Sequence, residues 1–502
     1  MQARISTGLI CSSTQESILN EMLFNSFAFL LFLTVVFVIY WFVVSRSLRL
    51  QNLFLLLASY TFYAFADWRF LMLLIATSAI NFFLGIAIER STKYRKLWLY
   101  TGIIQGIGML LFFKYYNFFI SSFNDLFLLF SVRLDVRLLN IVVPIGISFF
   151  TFRTLSYVKD IYKRKITATT DLVNFFVYVS FFPCLLAGPI DKAKTFIPQL
   201  ETPRIFDYHL AADGLRQILW GSFKKIVIAD NCSMVTANIF ANYETLPASS
   251  LALGAILYTI QIYADFSGYS DIAIGVAKLL GFRVTRNFDF PLFSQNIAQF
   301  WRKWHISLTS WLTEYVFTPL NIALRDHGKT GMALAILINF SLVGMWHGAN
   351  WTYLAFGFLH GCAFIPLIIR GTMNKKLSIP KTSKLPSPGE FGNIVLTLSF
   401  VVLAFIIFRS DTLADSYSYF VRLFSTSIIS KPRITNANAL YIAAFFTVVM
   451  IAVEWLNREK EHGLQIAGLF NSGIRQIIYV CLLLIIIFAG ADEANQFIYF
   501  KF

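Results

Sequence analysis

The feature that most constrains this chain is a succession of apolar runs, each about 20 residues long and so able to cross a hydrocarbon core of roughly 30 Å. They lie near 23–44, 50–66, 68–89, 97–119, 138–158, 172–190, 251–281, 332–349, 351–370, 392–409, 438–456 and 474–490. In hydrocarbon every backbone N–H and C=O must be bonded within the protein, so such runs fold as helices. The expectation is an all-α, polytopic integral membrane protein with about 11–12 transmembrane helices and additional re-entrant and interfacial helices. Composition agrees: only 14% of the 502 residues are charged, against about a quarter in soluble proteins, which excludes an ordinary soluble enzyme. The net charge of +15 comes from lysines and arginines between apolar runs, where they hold loops in the cytoplasm. No nucleic-acid partner is expected, and the lipid bilayer is the first partner.

Loops after the first, third and fifth runs carry ten cations, Arg46, Arg49, Arg90, Lys93, Arg95, Lys96, Lys159, Lys163, Arg164 and Lys165. Loops after the second and fourth carry three, Arg69, Arg133 and Arg137. The positive-inside rule then puts the N-terminus outside and the 159–165 loop in the cytoplasm. Residues 1–21 read as a polar extension without the charged and apolar regions of a signal peptide. The text changes abruptly at Met22, which points to translation starting there; a short extramembrane tail is the alternative, and intact mass separates them. Residues 22–372 read as a membrane core, 373–391 as a basic flexible loop rich in Lys, Pro and Ser, and 392–502 as C-terminal transmembrane helices. The five cysteines are widely separated and imply neither a disulfide framework nor a zinc site. Residues 191–240 and 282–331 mix charge, Pro and Trp with helical spacing and read as interfacial or re-entrant.

Three stretches carry chemistry. In GMWHGANW, Gly344 to Trp351, His347 lies between two apolar runs, and an ionisable group at membrane depth is a functional candidate by default. Gly344 and Gly348 would leave space beside the ring for another chain or a long thin substrate; alternatively His347 only bonds a neighbouring helix. In QFWRKWHISLTSWL, Gln299 to Leu312, a single helix would put Trp301, Trp304, His305, Leu308 and Trp311 on one face and Arg302, Lys303, Ser310 and Thr313 elsewhere. That is the pattern of an interfacial helix, with His305 facing a pocket shared with His347. In QIYADFSGYSDIAIG, Gln261 to Gly275, the carboxylates of Asp265 and Asp271 need partners, and Arg283, Arg286, Arg302 and Lys303 are the nearest cations in sequence. Polar glue between helices explains this stretch as well, and Asp265 could also orient a histidine.

Gly, Pro or Arg also interrupts apolar runs in VPIGISFFTFRTLSYVKDIY (143–162), FFPCLLAGPI (181–190) and FRSD (408–411), as in broken helices lining a cavity. His360 reads as a packing residue. No Walker A loop, Rossmann fingerprint, nucleophile elbow or HExxH is present.

Taken in order, these stretches, with the opening MLFNSFAFLLFL and the terminal FIYFKF, resemble the membrane-bound O-acyltransferase family, in particular its bacterial branch serving alginate O-acetylation and teichoic acid D-alanylation. The resemblance implies that His347 is the essential catalytic histidine and His305 the second signature histidine. Asp265, Ser267, Trp301, Trp304, Trp346 and Asn350 are expected to support the site or line its tunnel. The chain departs from the branch in two places: FTPLNIALRDHGKTG (317–331) stands where IPLGGN is usual, and Asp191 where Arg is common. Both lie where a cytoplasmic donor or partner is expected to dock.

The implied activity is transfer of an acyl group, acetyl by resemblance, from a cytoplasmic thioester, acetyl-CoA or an acyl carrier, across a bacterial inner membrane. The acceptor is an exported or cell-surface polysaccharide, with an extracytoplasmic acetyltransferase-like partner and no bound cofactor or metal. A histidine, with its pKa of about 6.5, suits removal of the hydroxyl proton. The alternatives are a proton-coupled transporter in which His347, His305 and Asp265 form a relay, and a non-catalytic scaffold of a polysaccharide export complex.

Overall fold

The computed structural model describes residues 24–132, 136–375, 377, 385–466, 468, 470–491 and 497–498. Residues 1–21, Met22, part of the 373–391 loop and the last four residues of FIYFKF lie outside them. Among the described residues the secondary structure is entirely helical. Every one of the twelve apolar runs carries a helix.

Among the described residues, seven helices are long and apolar enough to cross a membrane: Leu48–Arg90, Arg95–Leu128, Arg325–His347, Trp351–Ile369, Pro388–Arg409, Ala437–Leu456 and Ser472–Ala489, with Phe27–Val43 a shorter apolar one. Leu48–Arg90 accommodates two of the expected spans, because Asp67 leaves helical geometry (φ −165°, ψ 108°) and kinks it. The freed Asp67 carboxylate accepts from the backbone and guanidinium of Arg69. The runs at 138–158 and 172–190 yield only Ile147–Tyr162 and Leu172–Ser180, 16 and 9 residues. Both helices are almost wholly buried, and the break after Ser180 lies within protein, as irregular backbone at such depth requires, whereas the non-helical residues 138–143 are mostly exposed. The run at 251–281 forms Ala248–Leu279, 32 residues long. Pro388–Arg409 starts inside the 373–391 loop, opened by a capping box between Ser387 and Glu390.

The chain divides into two compact units. The first holds residues up to Phe113, Leu139–Ile218 and Ile272–Val284. Its core is organised by Arg153, 1% exposed. The guanidinium donates to the carbonyls of Tyr178 and Val179 at 3.0 and 3.3 Å and of Cys184 and Pro189 at 3.4 and 3.1 Å. The first two are carbonyls released where the helix breaks near Phe181 and the others follow that break, so Arg153 fills the gap that the sequence suggested would line a cavity. Asp191 is buried in the same place, its carbonyl accepting from Tyr178 Oη; it is not a docking surface, whereas Lys194 and residues 325–330 are exposed. An Arg153→Leu variant removes the donor to the carbonyls of Tyr178, Val179 and Cys184, while that of Pro189 keeps Asp191 N, and is expected to lose about 3 kcal/mol, read as a lowered thermal midpoint in detergent. An unchanged midpoint would show that water or backbone shifts satisfy them.

The second unit holds Lys114–Leu138, Leu219–Asp271 and residues from Thr285 on. Its centre is the hairpin of Gly328–His347 and Trp351–Ile369. Gly344 on the first helix faces Gly357 on the second, which with Gly361 forms a small-xxx-small pair of the kind that lets membrane helices approach at backbone distance. A Cβ at Gly344 would fall on the Tyr353 carbonyl and one at Gly348 on the Tyr353 ring. The space expected there for a substrate is therefore taken by Tyr353, because the glycines serve helix contact.

Candidate active site

His347 is the last residue of its helix and is 4% exposed. The last carbonyls of a helix lack intrahelical partners, and here a cation and a phenol supply them. Lys114 Nζ donates to the carbonyls of Trp346 and His347, the latter at 3.3 Å, and Tyr115 Oη donates to that of Met345 at 2.7 Å. A positive charge at this end also opposes the negative pole of the helix. The imidazole packs edge-on against Phe408 at 5.1 Å and Trp346 at 5.0 Å. The turn that follows is fixed by Asn350, whose Oδ1 caps Thr352 N at 3.1 Å and whose Nδ2 donates to the Asp411 carbonyl at 2.8 Å. Asn350 thus ties the histidine turn to the FRSD stretch.

His305 arrives from a different element. Residues 299–312 are not one helix: Ile297–Lys303 ends, His305 adopts φ 45°, ψ 53°, and Ile306–Leu312 begins. The left-handed region is uncommon for a residue with a Cβ and costs about 1–3 kcal/mol, which the surroundings must hold in place. Asn287 does so, its carbonyl accepting from Ile306 N at 2.8 Å and its Oδ1 from Ser307 Oγ at 2.6 Å. The burial pattern read from the sequence survives the break. Trp301, Trp304, His305, Leu308 and Trp311 are all buried, while Arg302 and Thr313 are exposed and Lys303 and Ser310 half-buried. Arg302 donates to the carbonyls of Met373 and Lys375.

The two imidazoles meet one indole. Trp346 lies 5.3 Å from the His305 ring and 5.0 Å from that of His347, and the other side of His305 meets the Phe266 ring at 4.6 Å. His360, fully buried, accepts a hydrogen bond at its Nδ1 from Trp301 Nε1 at 3.1 Å and touches Phe356, itself against His347. Trp304 stacks on Phe300 at 5.2 Å. The result is an enclosed aromatic cage holding three histidines, with Lys114 as the nearby cation. Such a cage excludes water and leaves imidazole nitrogens as the proton-handling groups.

Asp265 and Ser267 belong to a separate polar cluster. Asp265 Oδ1 is 2.7 Å from Lys225 Nζ and its Oδ2 accepts from Ile498 N at 2.9 Å. Its carboxylate is thus engaged by a lysine and the C-terminal backbone and not by the arginines nearest in sequence. Asp271 pairs with Lys224 at 2.7 Å, and Ser267 accepts from the same ammonium at 2.9 Å. Sequence reasoning missed Lys114, Tyr115, Asn287 and the role of His360 in holding Trp301. Only Lys114 carried a signal, as a single cation inside an apolar run.

The chain matches the family model described as MBOAT, membrane-bound O-acyltransferase family, over residues 125–384. It is 34% identical over 422 residues to the probable alginate O-acetylase AlgI of Pseudomonas aeruginosa, covering 83% of this chain and 78% of that protein. With the probable alginate O-acetylase AlgI of Azotobacter vinelandii the identity is 34% over 440 residues, 86% of this chain and 84% of that protein. The peptidoglycan O-acetyltransferase of Helicobacter pylori is 30% identical over 519 residues, 91% of this chain and 93% of that protein. A multi-pass helical chain with these relatives along most of its length belongs to the membrane-bound O-acyltransferase family and is an O-acyltransferase.

Proposed function

We propose that this enzyme takes an acetyl group from a cytoplasmic thioester, acetyl-CoA or a carrier-bound thioester, and passes it across the bacterial plasma membrane to hydroxyls of an exported or cell-surface polysaccharide. The observation that carries this reading is the Trp346 indole in ring contact with both His305 and His347. The names of the relatives supply the acetyl group and the polysaccharide class. The cation distribution supports an N-terminus outside and a donor side at the 159–165 loop. An extracytoplasmic acetyltransferase-like partner would complete delivery to the polymer.

In this mechanism a neutral His347 accepts the proton of the acceptor hydroxyl as its oxygen attacks the thioester carbonyl carbon. The C–S bond breaks from the tetrahedral intermediate, and the proton returns from His347 to the departing thiolate. His305 donates toward the carbonyl oxygen, where negative charge develops. Where the acceptor is a partner protein, His347 instead relays the acetyl group as a nucleophile. Trp301, Trp304, Trp346 and Asn350 hold the two imidazoles in a dry enclosure, so that water does not compete for the thioester. A relay of His347, His305 and Asp265 for proton transport finds no support, since Asp265 is committed to Lys225 and Ile498.

The protein in nanodiscs is expected to release free thiol from acetyl-CoA, and a deletion strain to lose O-acetyl groups from its surface polysaccharide, seen by mass spectrometry. Proton-coupled flux into vesicles without thiol release, together with unaltered polysaccharide, would overturn the reading.

A further inference from the structure

Lys224 and Lys225 are consecutive, and both are almost completely buried, 2% and 1% exposed. They sit on the π-helical turn Phe223–Ala229, a local widening that recurs at functional positions. Lys225 Nζ lies 2.7 Å from Asp230 Oδ1 and 2.7 Å from Asp265 Oδ1. Lys224 reaches the same helix further along, at Ser267 and Asp271. Gly268 allows the approach, because a Cβ there would stand 2.8 Å from the Gly221 carbonyl oxygen. Two ammonium groups therefore grip nearly two turns of Ala248–Leu279, at Asp265, Ser267 and Asp271.

The gripped turn carries the residues that face the imidazole cage. Phe266 sits edge-on to His305 at 4.6 Å. Tyr263 packs against Trp304 with ring centroids 6.1 Å apart, and its hydroxyl donates to Glu454 Oε2 at 2.6 Å. Buried ion pairs are poor devices for stability alone, since apolar groups of the same volume often serve as well or better. What they supply is a fixed register. We infer that Lys224 and Lys225 are positioning residues, an ionic grip that sets the rotation of the 263–267 turn so that Phe266 holds the His305 imidazole in its working orientation. The inference rests on the role proposed for His305.

The test measures kcat and KM for thiol release from acetyl-CoA in nanodiscs, beside the thermal midpoint. Lys225→Met leaves two buried carboxylates without their cation and is expected to lower both the midpoint and kcat. The triple variant Lys225→Met, Asp230→Leu, Asp265→Leu removes the charges together. Its midpoint should recover, while kcat stays about 30-fold down and the KM for acetyl-CoA moves less than about twofold. Recovery of kcat along with the midpoint would mean that the grip is only structural, and overturns the inference. Phe266→Leu leaves every charge in place and should show the same kcat loss at unchanged KM; wild-type kcat there overturns it whether or not the triple variant folds. A His305→Ala variant separates this inference from the functional reading. Full activity in His305→Ala removes the role of that histidine and the grip with it. Loss of activity there, with wild-type kcat in Lys225→Met, overturns the grip alone.

Discussion

A His347→Ala variant is expected to accumulate in the membrane at the wild-type level and to release thiol from acetyl-CoA at least about a thousandfold more slowly, within the range by which a positioned general base accelerates proton transfer. Accumulation should survive because the backbone at this helix end is held independently of the imidazole. Lys114 and Tyr115 bond the carbonyls of Met345, Trp346 and His347, and Asn350 fixes the turn beyond. The side chain packs between Phe408, Phe356 and Trp346. Its removal opens a cavity worth about 2–3 kcal/mol, which His347→Gln largely refills. The glutamine variant should therefore match wild type in thermal midpoint and the alanine variant in inactivity. Thiol release at the wild-type rate in either would sink the assignment of His347 as base.

How much of this could be read from the sequence depends on the range of the interaction concerned. Periodicity and run length are local, and each of the twelve apolar runs carries a helix, the runs at 138–158 and 172–190 only in part. The inward set of the Gln299–Leu312 stretch is equally local, and Trp301, Trp304, His305, Leu308 and Trp311 are buried as the spacing required. The break between Trp304 and His305 was not legible, because it is imposed by Asn287, 20 residues before Ser307 in the chain and without any motif of its own. Nearness in sequence likewise misdirected the search for partners of Asp265 and Asp271. The cations that hold them, Lys225 and Lys224, come from a segment whose folding path no spacing rule reveals. Gly344 and Gly348 show a third limit. Small residues beside a functional histidine can make room for a substrate or for a helix, and only the position of Tyr353 decides between them.

That choice leads to the largest expected loss of structure. Gly357→Leu should remove the protein from the membrane fraction. A Cβ at Gly357 would fall on the Phe340 carbonyl and stand 2.9 Å from Gly344 N, while one at Gly344 would stand 3.1 Å from Gly357 Cα. The two helices touch backbone to backbone, with no layer of side chains that could rearrange. Membrane helices gain little from apolar burial against each other, since lipid tails are as apolar as leucine, so this contact relies on close packing. A leucine must push the helices apart, and the expected cost is about 5 kcal/mol, at the upper end for a single substitution. Gly357→Ala should cost about 2 kcal/mol and leave a folded protein whose kcat falls, because His347 and His360 sit on the two helices being separated. Gly357→Leu is thus expected to lose abundance and activity together, where His347→Ala loses activity alone. Gly357→Leu accumulating to the wild-type level with wild-type thiol release would show that the hairpin tolerates separation, and that its glycines are not what brings His347 to the cage.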